Sequence, residues 1–72
     1  MDKTAIRSNA TKIWKLLSNN DRWPYEALKI TTGLNDTELG AAIGWLACQN
    51  KIDFERSKNQ LYFFLNVNVF IG

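Results

Sequence analysis

The chain contains no histidine and a single cysteine, Cys48, among its 72 residues. Without histidine, the commonest general base and the commonest metal ligand are both missing, so neither a zinc site nor a Ser-His-Asp triad is expected. A lone cysteine excludes an intrachain disulfide, which favours a reducing compartment. There is also no Gly-rich phosphate loop and no carboxylate pair in a recognisable pocket motif. The sequence therefore predicts a protein that is not an enzyme and needs no cofactor or metal.

Long apolar runs are missing as well. No stretch approaches the ~18 apolar residues of a membrane span, and the first residues lack the apolar segment of a signal peptide. Repeats, linkers and low-complexity segments are absent, so residues 1–72 are predicted to form one domain. The net charge of +2 is too small to mark a basic nucleic-acid-binding tail or a membrane patch. We expect a cytoplasmic protein with no membrane partner and no small-molecule substrate.

The first two thirds of the chain predict three helices. An apolar stripe at helical spacing predicts the first over residues 3–18: Ile6, Ala10, Ile13 and Leu17. Pro24 suits the first position of a second helix, and Gly33 suits the left-handed residue that closes it. Asn35 and Glu38 have the spacing of a capping box, which predicts the start of a third helix. The short connection with a glycine between the second and third helices is typical of a helix-turn-helix.

In the last third of the chain, apolar residues recur at every second position, which predicts a β-hairpin. Its first strand is expected at residues 52–56, its turn at "SKNQ", and its second strand over residues 61–71, about twice the length of the first. A short extended piece at Arg22 and Trp23, just before the proline, is expected to add a third strand. This order predicts an α+β winged helix-turn-helix, with three helices followed by a two-stranded wing.

Two segments resemble a family of small bacterial winged helix-turn-helix proteins of uncharacterised function: "KIWKLL" at residues 12–17 and "LGAAIGWLACQNKI" at residues 39–52. The second is the more specific, because its Gly-Trp-Leu-Ala core followed by a Lys-Ile strand entry is unusual. The resemblance covers nearly the whole chain and implies the fold, a bacterial cytoplasmic setting and a dimer, but no ligand. Family members tend to have Arg where this chain has Cys48, so this chain lacks a positive charge there.

The third predicted helix occupies the place of a DNA-recognition helix, but its charges do not suit DNA. Residues 35–50 contain Asp36 and Glu38 and no Lys or Arg. A major-groove reader presents Arg, Lys, Asn or Gln to base edges and needs cations for the phosphates. At 100° per residue the outer face is small and mostly apolar: Thr37, Ala41, Gly44 and Cys48. Thr37 is the one residue of this face suited to contact DNA.

Two features of the third helix have alternative interpretations. Gly40 and Gly44 stand four residues apart. We favour the interpretation that they let the first or second helix approach closely, and the alternative is a helix-dimer face. Trp45 is expected in the core or at its edge, and the alternative is an exposed contact between subunits.

Positive charge suited to DNA lies mainly outside that helix. Arg56 and Lys58 flank the turn of the hairpin, where a wing can reach a phosphate or the minor groove. The alternative is that they only keep the tip of the hairpin soluble. Lys3 and Arg7 of the first helix are further candidate contacts. Because the basic residues are dispersed, DNA binding is expected to be weak and sensitive to salt.

The predicted second strand is longer than its partner, so "NVNVFI" at residues 66–71 would form an apolar edge that invites another strand. This predicts a homodimer through the C-terminal strand. The expected interface residues are Trp45, Val67, Val69, Phe70 and Ile71. The alternative is that this segment folds back over the first helix of its own chain. Taken together, the sequence predicts a non-enzymatic interaction or dimerisation module on the fold of a small transcription regulator, with weak DNA binding as the alternative function.

Overall fold

The computed structural model describes residues 1–18 and 21–66. Within them it has six elements: α1 (Lys3–Leu17), β1 (Trp23–Pro24), α2 (Tyr25–Thr32), α3 (Asp36–Cys48), β2 (Ile52–Ser57) and β3 (Gln60–Leu65). The strands form one antiparallel sheet in the order β1-β3-β2, so β3 is the central strand. The predicted order of a winged helix-turn-helix is confirmed. Among the described residues, no helix is long and apolar enough to cross a bilayer.

The helices begin and end where the local chemistry of the chain sets their limits. The carboxylate of Asp2 accepts a hydrogen bond from the Ala5 backbone N at 2.8 Å and caps α1. Gly33 closes α2 with a φ of 73°, a left-handed conformation that costs glycine little. The predicted capping box of α3 is present. The Glu38 backbone N donates to Asn35 Oδ1 at 2.8 Å, and the Asn35 backbone N donates to Glu38 Oε1 at 3.1 Å.

One apolar core lies between the helices and one face of the sheet. In the described part of the chain its buried members are Ala10, Ile13, Leu17, Leu28, Leu39, Ala42, Leu46, Ile52, Phe63 and Leu65. Three of them come from the stripe predicted on the first helix, which is thereby confirmed as the buried side of α1. Burying one large apolar side chain contributes about 1.5–3 kcal/mol, so this cluster supplies most of the drive to fold.

The wing is a hairpin with a very short tip. Ser57 pairs with Gln60, so only Lys58 and Asn59 form the turn between β2 and β3. Both have positive φ, 50° and 67°. Two-residue hairpin loops favour this conformation because its twist matches that of the strands. The described wing therefore projects as a narrow tip and not as an extended loop.

The sheet differs from the sequence prediction at two points. The short first strand is Trp23–Pro24, one residue later than expected, and Pro24 pairs with Tyr62 before α2 begins at Tyr25. β2 and β3 have six residues each, and β3 ends at Leu65. At that point the Asn66 backbone N donates to the Lys51 carbonyl at 3.1 Å. The predicted continuation over residues 67–71 lies outside the described residues.

Candidate functional site

The outward side of α3 carries no positive charge. Thr37, Gly44 and Cys48 are exposed there and Ala41 is half-buried, as the helical projection predicted. Base edges offer a pattern of donors and acceptors that only suitable polar side chains can match, and phosphates require cations. Apart from the Thr37 hydroxyl, this face presents neither. The structure therefore places a small, mostly apolar surface where a DNA-binding relative of this fold would place its reading residues.

The two glycines of α3 are not required for a close helix contact within the described part of the chain. Both Gly40 and Gly44 are exposed, and no heavy atom lies within 4 Å of the position that a Cβ would take at either. The interpretation that they let the first or second helix approach closely is therefore wrong. A glycine in an exposed helix costs about 1 kcal/mol relative to alanine. This cost has no compensating contact among the described residues.

An apolar groove runs between α3 and the hairpin. It has a volume of about 320 Å³ and no charged residue lines it. Its principal walls are Gly40, Ile43, Gly44, Ala47, Phe54 and Leu61. Phe54 is 55% exposed, although it lies on the same face of β2 as buried Ile52. We call this feature the α3–wing groove. Its exposed aromatic ring and its open glycine backbone are the features expected of a surface that another apolar group covers.

A hydrogen-bonded cluster joins α2 to the first turn of α3. The Tyr25 hydroxyl donates to Asp36 Oδ1 at 2.7 Å, and Lys29 Nζ lies 3.0 Å from the same oxygen. The bond to Asp36, with a smaller contribution from burial, raises the pKa of Tyr25 from its ordinary value of 10.0 to about 12. The same bond, reinforced by Lys29, lowers the pKa of Asp36. Asp36 therefore stays ionised next to Thr37, where it would repel a phosphate.

This cluster predicts a pH-dependent difference between the native protein and Tyr25→Phe. Folding lowers the pKa of Asp36. Its ionised carboxylate therefore stabilises the folded state above pH 3.8, and this stabilisation is lost as the pH falls through the lower pKa of the folded state. The Tyr25 pKa is raised, so its contribution is present below 10.0 and is lost as pH rises toward about 12. The native protein should therefore melt at a higher temperature than Tyr25→Phe, and this gap in melting temperature should be larger at pH 7 than at pH 3.

A matched control for that measurement is Tyr62→Phe, which removes a hydroxyl from the outer face of the sheet and keeps the ring beneath Arg22. The gap in melting temperature between this control and the native protein should change little between pH 3 and pH 7. A Tyr25→Phe gap of the same size at both pH values would contradict the role given to the Tyr25–Asp36 bond.

The four candidate DNA-contacting cations lie on two separate elements. Arg56 and Lys58 are exposed at and beside the wing tip, and Arg56 shares a surface depression with Glu26. Lys3 and Arg7 are exposed on α1. The Arg7 guanidinium lies 5.8 Å from the centre of the Trp45 ring, so it already makes a cation–π contact.

Trp45 lies in a second groove, between α1 and α3. It is half-buried and packs on the core, while Trp14 opposite is 37% exposed. The groove has a volume of about 340 Å³, and Arg7 and Lys51 are among its lining residues. Lys51 Nζ lies 5.7 Å from the centre of the Trp14 ring. We call this feature the Trp14–Trp45 groove. The predicted position of Trp45 at the edge of the core is confirmed. The sequence did not predict that Trp14 and Lys51 line this groove, or that Phe54 lines the α3–wing groove.

The fold and these surfaces define a winged helix-turn-helix domain, a class typical of small regulators. The chain belongs to the family "Winged helix-turn-helix domain (DUF2582)", whose model matches residues 1–65. This confirms the resemblance to an uncharacterised family found in the sequence. The described residues of this chain include no group of three or more His, Cys, Asp or Glu placed to hold a metal ion.

One solved structure is closely similar. It is the solution NMR structure of protein BT2368 from Bacteroides thetaiotaomicron, which is 29% identical in sequence, with a TM-score of 0.80. The similarity covers 96% of this chain and 84% of that one. No curated protein matches. The similar structure, that of a bacterial protein, supports the fold.

Proposed function

We propose that this protein is a non-enzymatic interaction module that forms a homodimer through the α3–wing groove. The observation that carries the proposal is the uncharged, open surface made by Gly40, Gly44 and Phe54 at the position of a recognition helix. Such a surface lacks the cations that bind phosphates, and its exposed apolar groups suit contact with an apolar protein surface. The predicted cytoplasmic setting accompanies this proposal as a prediction.

A second copy of the chain suits this groove because the groove can be its own complement. A two-fold contact uses the same patch on both subunits. With no side chain at Gly40 and Gly44, two α3 helices can approach closely there. Phe54, which is 55% exposed, then provides each copy with an aromatic anchor for the groove of the other.

Charge and area also favour this contact. Each copy has a net charge of +2, but no charged residue lines the α3–wing groove, so the centre of the contact buries no charge. A specific interface takes about 800 Å² from each partner. Against an accessible surface of 4963 Å², this is about a sixth of the molecule. The outer face of α3 and the neighbouring side of the hairpin would both take part.

Sedimentation at micromolar concentration tests the dimer with a paired set of variants. The native protein should move from 8.3 kDa toward twice that mass as concentration rises. Gly44→Arg should stay monomeric, because it places a charged, bulky side chain in the contact. It should also stay folded, because arginine favours helix more than glycine does. The control Ile30→Arg changes a side chain on α2 that is 79% exposed and outside the groove, and it should dimerise normally.

Two results would contradict the α3–wing dimer: a native protein that stays monomeric at every concentration, or a Gly44→Arg variant that dimerises like the native protein. The contact predicted from sequence, through Val67, Val69, Phe70 and Ile71, lies outside the described residues and stays a prediction. A chain ending at Asn66 separates the two contacts. Loss of the dimer on this truncation, with Gly44→Arg still dimeric, would favour the C-terminal contact.

Weak DNA binding is the alternative function, favoured by the exposure of Arg56 and Lys58 beside the narrow wing tip. Fluorescence anisotropy with a random duplex at ~50 mM salt should then show binding that weakens steeply as salt increases. Changing Arg56 and Lys58 together to Glu should abolish most of it and reduce the salt dependence. The same charge change at exposed Lys12 and Lys15 of α1 is the matched control.

The wing variant separates specific use of the tip from general attraction to positive charge. Equal losses in the wing variant and the α1 control would mean that the wing has no special role. If the native protein does not bind at all, the DNA alternative is wrong. Lys3, Arg7 and Thr37 become worth testing only if the wing variant retains binding.

A further inference from the structure

The Trp14–Trp45 groove is an aromatic surface that nothing among the described residues fills. Its lining includes the two indole rings and the buried residues Ala10 and Leu46. Trp14 is 37% exposed. Indole rings contribute most when an apolar group covers their faces, so the groove suits an apolar segment of polypeptide.

The chain leaves the sheet beside this groove. The Asn66 backbone N donates to the Lys51 carbonyl at 3.1 Å. Its side-chain Nδ2 donates to Asn50 Oδ1 at 2.9 Å and to the Asn50 carbonyl at 3.2 Å. Lys51 itself lines the groove and places Nζ over Trp14. Asn66, the last described residue, is therefore held beside a residue that lines the groove.

The sequence beyond that point has the composition and length to fill the groove. Residues 67–71 read "VNVFI", so all but Asn68 are apolar. Extended, five residues reach at most ~17 Å. The groove follows α1 from Trp14 back to Arg7, about two helical turns or ~10 Å. The segment can therefore cover both indole rings without leaving its own chain.

We propose that residues 67–71 occupy the Trp14–Trp45 groove of the same chain. The occupant comes from the same chain because Asn66 fixes the start of the segment next to Lys51, so little freedom is lost on docking. The proposal concerns a different surface from the α3–wing groove and does not depend on the dimer. In this proposal the partly exposed Trp14 and Trp45 form the binding surface for the C-terminal segment.

NMR on the full chain tests this directly. Nuclear Overhauser effects are expected between the indole protons of Trp14 or Trp45 and the methyl groups of Val67, Val69 or Ile71. A sample that mixes labelled and unlabelled chains separates contacts within one chain from contacts between two. Contacts within one chain support the proposal. Contacts only between chains, or no contact with either indole, overturn it.

A pair of variants adds a second readout from the fluorescence of Trp14 and Trp45, in a background where Trp23 is phenylalanine. Val69→Asp should expose the two indoles and raise their acrylamide quenching about twofold, since the apolar cover is lost. Asn68→Asp makes a like charge change at the polar position and should have little effect. Equal quenching in both variants would overturn the proposal. Val69→Asp should leave the dimer mass unchanged, and Gly44→Arg should leave the indole contacts unchanged, so the two proposals can fail separately.

Discussion

Replacing Phe63 with alanine is expected to remove a large part of the free energy of unfolding. Phe63 is 2% exposed and lies in the central strand, with Trp23 and Phe54 as its cross-strand partners. Its ring centre is 6.2 Å from that of Phe54 and 6.4 Å from that of Tyr25. Removing a buried phenylalanine costs about 3–5 kcal/mol. A domain of this length has a total stability of roughly 4–11 kcal/mol, so the loss consumes much of it.

The neighbouring residue gives a matched control. Phe64 lies on the opposite face of β3, half-buried, with the Arg22 guanidinium 5.8 Å from its ring centre. Phe64→Ala should cost about 1 kcal/mol, mainly through the lost cation–π contact and partial burial. Urea unfolding followed by circular dichroism measures both. Equal destabilisation by the two variants would contradict the assignment of these adjacent rings to a core face and an outer face.

Changing Gly40 and Gly44 together to alanine is expected to move monomer stability and dimer affinity in opposite directions. Space is open at both positions, so alanine fits without strain. Each change should raise the free energy of unfolding of the monomer by about 1 kcal/mol. The added methyl groups should hold two α3 helices apart and weaken the dimer. Urea unfolding at low concentration and sedimentation at high concentration measure the two effects separately.

Gly33→Ala is the control for the stability half of this prediction. Gly33 has a φ of 73°, where alanine is strained, so this change should lower stability by about 1 kcal/mol. If the Gly40 and Gly44 double variant is less stable than the native protein, the conclusion that a Cβ at these positions meets no neighbouring atom is contradicted. A double variant that is more stable and dimerises as tightly would place the dimer contact elsewhere.

Local chemistry explains why the limits of the helices could be predicted. The capping box of Asn35 and Glu38 and the left-handed Gly33 depend only on neighbouring residues, so the sequence contains the necessary information. The same holds for the change to alternating apolar residues at the hairpin. The register of the short first strand depends on a distant partner, so the sequence predicted a strand near Arg22 and Trp23 but not its pairing with Tyr62 and Phe63.

The candidate surfaces could be predicted only in part. Projection of α3 identified an outer face without cations, because a helix has a fixed angular step. It could not show whether a neighbouring helix covers Gly40 and Gly44, since this depends on how the helices pack. Similarly, alternation places Phe54 on the core-facing side of β2, but its exposure depends on how the helices pack against the sheet. The pairing of Trp14 with Lys51 also depends on tertiary packing.

The pairing of Pro24 with Tyr62 has a consequence for the order of folding. This ladder joins the two ends of a segment that contains α2, α3 and β2. Closing a loop of that length costs about 3 kcal/mol of chain entropy, whereas the hairpin of β2 and β3 closes over two residues. The hairpin should therefore form early, and β1 should join after the helices have assembled. The ion pair between Arg22 and Glu55, which spans the central strand, would then form last and report completion of the native state.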